Sequence, residues 1–154
     1  MRAAAISAFA LLLASTGAGF ALDTSATMTS SLSPDALWKK VGDFCGIASW
    51  HPAFPKCVLS ADGKQRTLTI ANNGGTIVEG LEAWDDGKRS YTYVILSGPL
   101  PITNYRSTIS VAPDAKGSAV TWVGKYDAKG VSDAEAQKTV DGAYAAGLKA
   151  LVGE

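Results

Sequence analysis

The sequence predicts an α+β domain in which a curved antiparallel sheet of about seven strands wraps around a long C-terminal helix. Three observations carry that prediction. Between residues 58 and 126, apolar and polar side chains alternate in short runs broken by Asp62-Gly63, Asn72-Asn73-Gly74-Gly75 and Asp85-Asp86-Gly87, which is the pattern of strands joined by tight turns. The final segment repeats its apolar residues at helical spacing instead. No internal repeat, low-complexity tract or linker divides the chain, so one domain accounts for all of it beyond the leader.

The elements follow in order. Leu22 to Leu32 is rich in Thr and Ser and mildly alternating, which suits a first strand. Ser33-Pro34-Asp35 then opens a helix, with serine as N-cap and proline at the first helical position; Leu37, Trp38 and Val41 form its apolar side up to Gly42. A crossover, Phe44 to Cys57, leads into six strands: Val58 to Ala61, Arg66 to Ala71, Ile77 to Trp84, Ser90 to Leu96, Ile102 to Val111 and Val120 to Tyr126. Ser132-Asp133-Ala134-Glu135 is a capping box, and Ala136, Val140, Ala143, Gly147, Leu148 and Leu151 continue one helical face towards the C-terminus. About twenty residues at 1.5 Å each reach roughly 30 Å, enough to cross a whole sheet.

The N-terminus indicates the compartment. Met1-Arg2 gives a brief basic start, Ala3 to Ala14 are almost wholly apolar, and Gly19-Phe20-Ala21 presents small residues where a signal peptidase reads. Residues 1–21 are therefore expected to be a signal peptide and residues 22–154 the mature domain, periplasmic or secreted. The apolar run is shorter than the roughly 20 residues needed to cross a bilayer. After cleavage, 13 basic and 14 acidic residues leave a formal charge of −1 with no basic cluster, so no nucleic-acid partner is expected. In an oxidising compartment Cys45 and Cys57, twelve positions apart, have each other as the available disulfide pairing. Two thiols and one imidazole fall a ligand short of a closed tetrahedral site, and there is no Cys-x-x-Cys, so neither a metal nor a cofactor is expected.

Chemistry concentrates in the crossover, FCGIASWHPAFPKC, which holds the one histidine and both cysteines. Pro52 disfavours helical geometry at His51, placing the imidazole in a short irregular segment. Strand parity adds polar groups to apolar faces. Glu79 shares a face with Ile77, Leu81 and Ala83; Ser107 shares one with Tyr105, Ile109 and Val111. Tyr91, Tyr93 and Ile95 face one way, as do Val120, Trp122, Gly124 and Tyr126. A solid core rejects an unpaired carboxylate, so Glu79 is either partnered or borders a wet cavity. The small Ala143 and Gly147 on the facing helix leave volume for such a cavity.

These residues resemble a known family. The order of elements, the Asp43-Phe44-Cys45-Gly46-Ile47-Ala48-Ser49-Trp50-His51-Pro52 segment with Cys57 beyond it, the Ile77-Val78-Glu79-Gly80-Leu81-Glu82 strand, the Gly98-Pro99-Leu100-Pro101 loop and the Asn104-Tyr105-Arg106-Ser107 strand start are similar to the SRPBCC superfamily. More narrowly, the chain resembles bacterial polyketide cyclase/dehydrase-like proteins of the START, or helix-grip, fold. A more distant similarity to plant abscisic-acid receptors implies ligand-facing roles for Glu79, Tyr105 and Ser107, and aligns His51 with the receptor lysine that meets the ligand carboxylate. The receptors' gate loop corresponds to Asn72–Gly75 and their second loop to Ser97–Pro101. Because Asn-Asn-Gly-Gly lacks the gate residues, a hormone-gated phosphatase partner is not implied.

The expectation is an exported binding or carrier protein for a small hydrophobic or amphipathic ligand. Its polar end would meet His51, Glu79, Tyr105 and Ser107, and Tyr93, Ile95, Trp122, Ala143 and Gly147 would line the apolar part. A second reading uses His51 or Glu79 as acid/base for cyclisation or dehydration of a bound ketone. A third is an accessory protein of a periplasmic oxidoreductase, with that enzyme as partner, because some relatives are linked to methanol oxidation.

Overall fold

The structure, a computed structural model, describes residues 22–153; the signal peptide expected over residues 1–21 lies outside them. The elements are β1 (Leu22–Ser30), α1 (Pro34–Val41), a 3-10 turn (Gly46–Ser49), β2 (Lys56–Leu59), β3 (Gln65–Thr69), β4 (Thr76–Asp85), β5 (Ser90–Ser97), β6 (Ile102–Asp114), β7 (Gly117–Ala128) and α2 (Asp133–Val152). All seven strands form one antiparallel sheet in the order β1-β7-β6-β5-β4-β3-β2. Strands β2 to β7 are a continuous meander, and β1 closes onto β7 with Leu22 opposite Tyr126 and Ser30 opposite Ser118. The expected seven-stranded α+β architecture is the one observed.

Local chemistry explains the boundaries. Ser33 Oγ accepts from the Ala36 N–H, and Ser132 Oγ accepts from the Glu135 N–H, so both helices begin on serine caps. Helix α2 ends at Gly153, whose φ of 85° is the left-handed C-cap conformation. The β3–β4 turn uses Asn72 and Asn73 at φ 57° and 60°, a conformation asparagine tolerates better than most residues.

The sheet has three register irregularities, one of them between Val78 and Glu79 in β4. In β4 the register shifts between Leu81 and Ala83, so the alternation inverts: Ala83 is exposed, contrary to the parity reading, and Trp84 swings beside Trp38 with ring centres 6.1 Å apart. In β6 the register shifts between Thr103 and Arg106, with Asn104 at φ 53°. The β5–β6 pairing runs from Ser90↔Ser110 to Val94↔Arg106 and stops there. Beyond it, Ile95–Ser97 and Ile102–Tyr105 part from one another.

The concave face of the sheet is the core. Helix α2 contributes Ala136, Val140, Tyr144, Leu148 and Leu151; α1 contributes Leu37, Trp38 and Val41; the crossover contributes Phe44 and Ile47. Cys45 and Cys57 form a disulfide with Cα atoms 5.5 Å apart. Strand β2 begins at Lys56, two residues earlier than the sequence pattern indicates, so Cys57 sits within this edge strand opposite Leu68. The bond thereby ties the crossover to the sheet. Its loop length predicts a contribution of about 3 kcal/mol by the chain-entropy relation. Replacing both cysteines by serine is expected to lower the urea-unfolding free energy by about that amount, and an unchanged midpoint would show that the remaining contacts hold the crossover alone.

Candidate functional site

Arg66 on β3 lies directly opposite Glu79 on β4, and both side chains point to the concave face. Arg66 Nε–H donates to Glu79 Oε2 at 2.5 Å, and Nη1 donates to the Phe44 carbonyl. The guanidinium carbon stands 4.2 Å from the Phe44 ring centre and 4.9 Å from that of Tyr93. Arg66 is completely buried. Burial is the largest single effect and works against its charge, but Glu79, Tyr91 and Tyr93 together outweigh it and raise the arginine pKa. The Glu79 carboxyl is pushed up by burial while Arg66 pulls it back. Glu79 is therefore partnered, one of the two possibilities its position left open.

Beside this pair runs a chain of hydroxyls. Tyr93 and Tyr105 are 3.2 Å apart at oxygen, Tyr105 and Tyr144 2.6 Å, Tyr144 and Ser107 2.7 Å, and Ser107 donates to the Val123 carbonyl at 2.7 Å. The carbonyl end fixes the direction of the whole series. Ser107 spends its proton on Val123, so Tyr144 donates to Ser107, Tyr105 to Tyr144 and Tyr93 to Tyr105. Trp122 Nε1–H donates to both Tyr93 (3.1 Å) and Ser107 (3.0 Å), and its ring stacks on Tyr144 at 4.3 Å. Burial raises the Tyr93, Tyr105 and Tyr144 hydroxyls, the first two well above the usual phenol value. Gly124, opposite Ser107, is required here because a Cβ would lie 2.2 Å from the Tyr144 hydroxyl.

His51 is buried against α2. Its Nδ1 accepts from the Ala53 N–H at 3.1 Å, so the neutral ring carries its proton on Nε2 and donates to the Ala143 carbonyl at 3.0 Å. Burial lowers its pKa to about 4; the bond to Ala143 works in the opposite direction, and Arg66 reinforces the lowering. Gly147 admits this contact, since a Cβ there would meet His51 Cδ2 at 2.4 Å. The volume expected from Gly147 is thus filled by the imidazole, and Ala143 contributes its carbonyl. Both polar bonds of His51 go to backbone, whereas Glu79 is bonded to Arg66.

The sequence-derived residues His51, Glu79, Tyr93, Tyr105, Ser107, Trp122 and Gly147 thus border one interior. Ile95 sits at its edge, where the parted β5 and β6 enclose about 100 Å³ together with Leu100, Ile102 and Tyr105. A larger groove of about 310 Å³ includes Arg106, Thr108, Val123 and Lys125, which strand parity places on the opposite, convex face. Arg106 is already paired there with Glu82, and although Thr24 and Gly124 reach this groove, its lining includes none of His51, Arg66, Glu79 or the buried tyrosines. Sequence reasoning missed Arg66 and Tyr144. Alternation with Leu68 puts Arg66 inward, and Tyr144 lies four residues after Val140 on the buried stripe, so both signals were present.

The sequence matches the family model described as polyketide cyclase / dehydrase and lipid transport over residues 21–154. Among solved structures, XoxI from Bacillus cereus is 38% identical with a TM-score of 0.82, covering 85% of this chain and 93% of that one. A START superfamily protein from Mycobacterium smegmatis (18% identity, TM-score 0.70, 85% and 94% coverage) and the Zhui aromatase/cyclase from a Streptomyces species (17%, 0.70, 86% and 92%) share the fold. No curated protein matches.

Two predictions follow from the geometry. A histidine whose folded pKa is about 4 against 6.5 unfolded makes the unfolded state the better proton binder between those values, so stability is present above pH 6.5 and is lost as pH falls towards 4. Between pH 7 and 5 the loss should be about 2 kcal/mol, read from urea midpoints, and His51→Gln should flatten it; equal slopes in both proteins would contradict the assignment. Tyr144→Phe interrupts the hydroxyl chain and leaves Tyr105 without its acceptor, which should cost about 1–3 kcal/mol in the same assay.

Proposed function

The chain belongs to the polyketide cyclase/dehydrase and lipid transport family, and on that premise we propose that it is an exported binding or carrier protein. Its ligand is a small, mostly apolar molecule with one polar end, held on the concave face among Tyr93, Tyr105, Ser107, Trp122 and the Arg66–Glu79 pair. One observation favours a carrier over an enzyme: among the described residues, none of the interior groups His51, Glu79, Tyr93 and Tyr105 is poised for proton transfer near neutral pH. The His51 imidazole is held neutral with both nitrogens on backbone groups, Glu79 is engaged by Arg66, and the tyrosines are displaced upward. General acid–base catalysis needs a group near the working pH within reach of substrate.

Side chains occupy the interior in this structure. Tyr144 stacks on Trp122 and His51 fills the space at Gly147. Uptake therefore requires aromatic side chains to move, and the parted end of β5 and β6 is the reading's access route because it already reaches Tyr105. Export is supported by the apolar run at Ala3 to Ala14 and by the Cys45–Cys57 disulfide.

Native mass spectrometry of protein recovered from the exported fraction should show a chain beginning at Leu22 and carrying a small-molecule mass that denaturation releases. Ile95→Trp should narrow the access route and weaken binding of an apolar fluorescent probe at least tenfold without changing the melting temperature. A bare mass together with no probe binding would overturn the carrier reading.

A further inference from the structure

Two buried side-chain atoms among the described residues have no hydrogen-bond partner: Arg66 Nη2 and Trp50 Nε1. Both are donors. No buried side-chain oxygen among the described residues is unpartnered in the same way. Native proteins leave few such groups unpaired, and each calls for an explanation such as an external partner.

The two side chains border the same aromatic pair, Tyr93 and Trp122. Arg66 packs on Tyr93, the Trp50 ring centre is 5.9 Å from that of Trp122, and Trp122 donates to Tyr93. Arg66 has no freedom to turn away, since Nε is bonded to Glu79, Nη1 to the Phe44 carbonyl, and the guanidinium plane rests against Phe44. Tyr91, its ring centre 5.9 Å from the guanidinium carbon, has its hydroxyl beside the guanidinium and feels its charge, yet that hydroxyl makes no bond of normal geometry with Nη2. Nη2 is therefore a fixed donor awaiting an acceptor.

Charge decides which acceptor. The Glu79 carboxylate already balances Arg66, and His51, with one nitrogen accepting from backbone, adds no positive charge. A ligand carboxylate would place a second anion beside Glu79 in a low-dielectric interior, where like charges repel strongly. A neutral oxygen brings no such repulsion.

We propose that the polar end of the ligand is a neutral hydrogen-bond acceptor, a ketone, quinone or ester oxygen, taken by Arg66 Nη2 with Trp50 Nε1 as the second donor, and that the site discriminates against carboxylates. The inference rests on the binding reading above and assigns it a ligand chemistry and two residues, in place of a carboxylate held by His51.

The test uses three probes of matched chain length, 2-undecanone, decanoate and undecane, competing with an apolar fluorescent probe at pH 7. The ketone should bind at least tenfold more tightly than either of the others. Its addition should shift the Arg66 Nη2 resonances in an arginine-labelled sample, a readout that needs no substitution. Trp50→Phe, which keeps a ring and removes the N–H, should reduce ketone affinity about fivefold while leaving undecane unaffected. Equal or tighter binding of decanoate would overturn the inference and leave the carrier reading standing. Equal binding of ketone and alkane, or unmoved Arg66 resonances, would likewise overturn it, with water as the partner of the two donors. Failure of all three probes would remove the carrier reading itself.

Discussion

The buried ion pair between Arg66 and Glu79 is the constraint on which the rest of the interior depends. Removing two charges from water costs several kcal/mol per ion, and their attraction offsets this when geometry and additional hydrogen bonds are favourable. Here the additional bond comes from the Phe44 carbonyl, and the guanidinium face is covered by aromatic rings. Phe44 opens the crossover, so satisfying Arg66 fixes where that crossover begins. The disulfide one residue later fixes it a second time. From that anchored start the 3-10 turn delivers His51 to α2, where its bond to Ala143 locks the long helix over the sheet. A polar requirement at β3 is thus transmitted to the long helix through the eight residues from Phe44 to His51.

The hydroxyl chain obeys a similar logic. Each member donates once, and the direction is imposed by the single carbonyl at its end, because Val123 O can only accept. Such a chain satisfies four buried oxygens without a charge. It also suppresses ionisation of the tyrosines, since a phenolate in the middle would have to accept where it now donates. Tyr126, Thr24 and Asp141 form a shorter relay of the same kind, in which Tyr126 donates to Thr24 and Thr24 to Asp141. The polar groups of this largely apolar interior are thus paired off, the Arg66 and Glu79 charges with each other and the hydroxyls along their relays.

The fold was largely legible because its signals are local. Turn residues, two serine caps and the switch from period two to helical spacing each report on a few neighbouring positions. Parity correctly placed Glu79, Tyr93, Tyr105, Ser107 and Trp122 inward, and failed at Ala83, where a bulge adds a residue that alternation cannot register. The site was read less completely because its content is pairwise and non-local. Glu79 on an apolar face demands a partner, but identifying it as Arg66 requires knowing that β3 and β4 align those two residues. Gly147 shows the same limit: a small residue on a facing helix marks either a void or a close contact, and only the approach of His51 distinguishes them.

His51 separates what the fold carries from what this chain does with it. Resemblance aligns it with a lysine that meets a ligand carboxylate, and an imidazole in that place keeps the capacity to be cationic. Burial removes that capacity near neutral pH against the opposing pull of the Ala143 carbonyl, and the Ala53 N–H occupies the nitrogen that would take the proton. Lysine, with three donors and no acceptor, could not take the Ala53 N–H; histidine can, and becomes a brace between crossover and helix. The cationic group that remains inside is Arg66, already balanced by Glu79. A fold shared among carriers and cyclases leaves function to be set by such local environments, and in this chain the environment leaves the buried charges on the sheet, at Arg66 and Glu79, and none on the crossover imidazole.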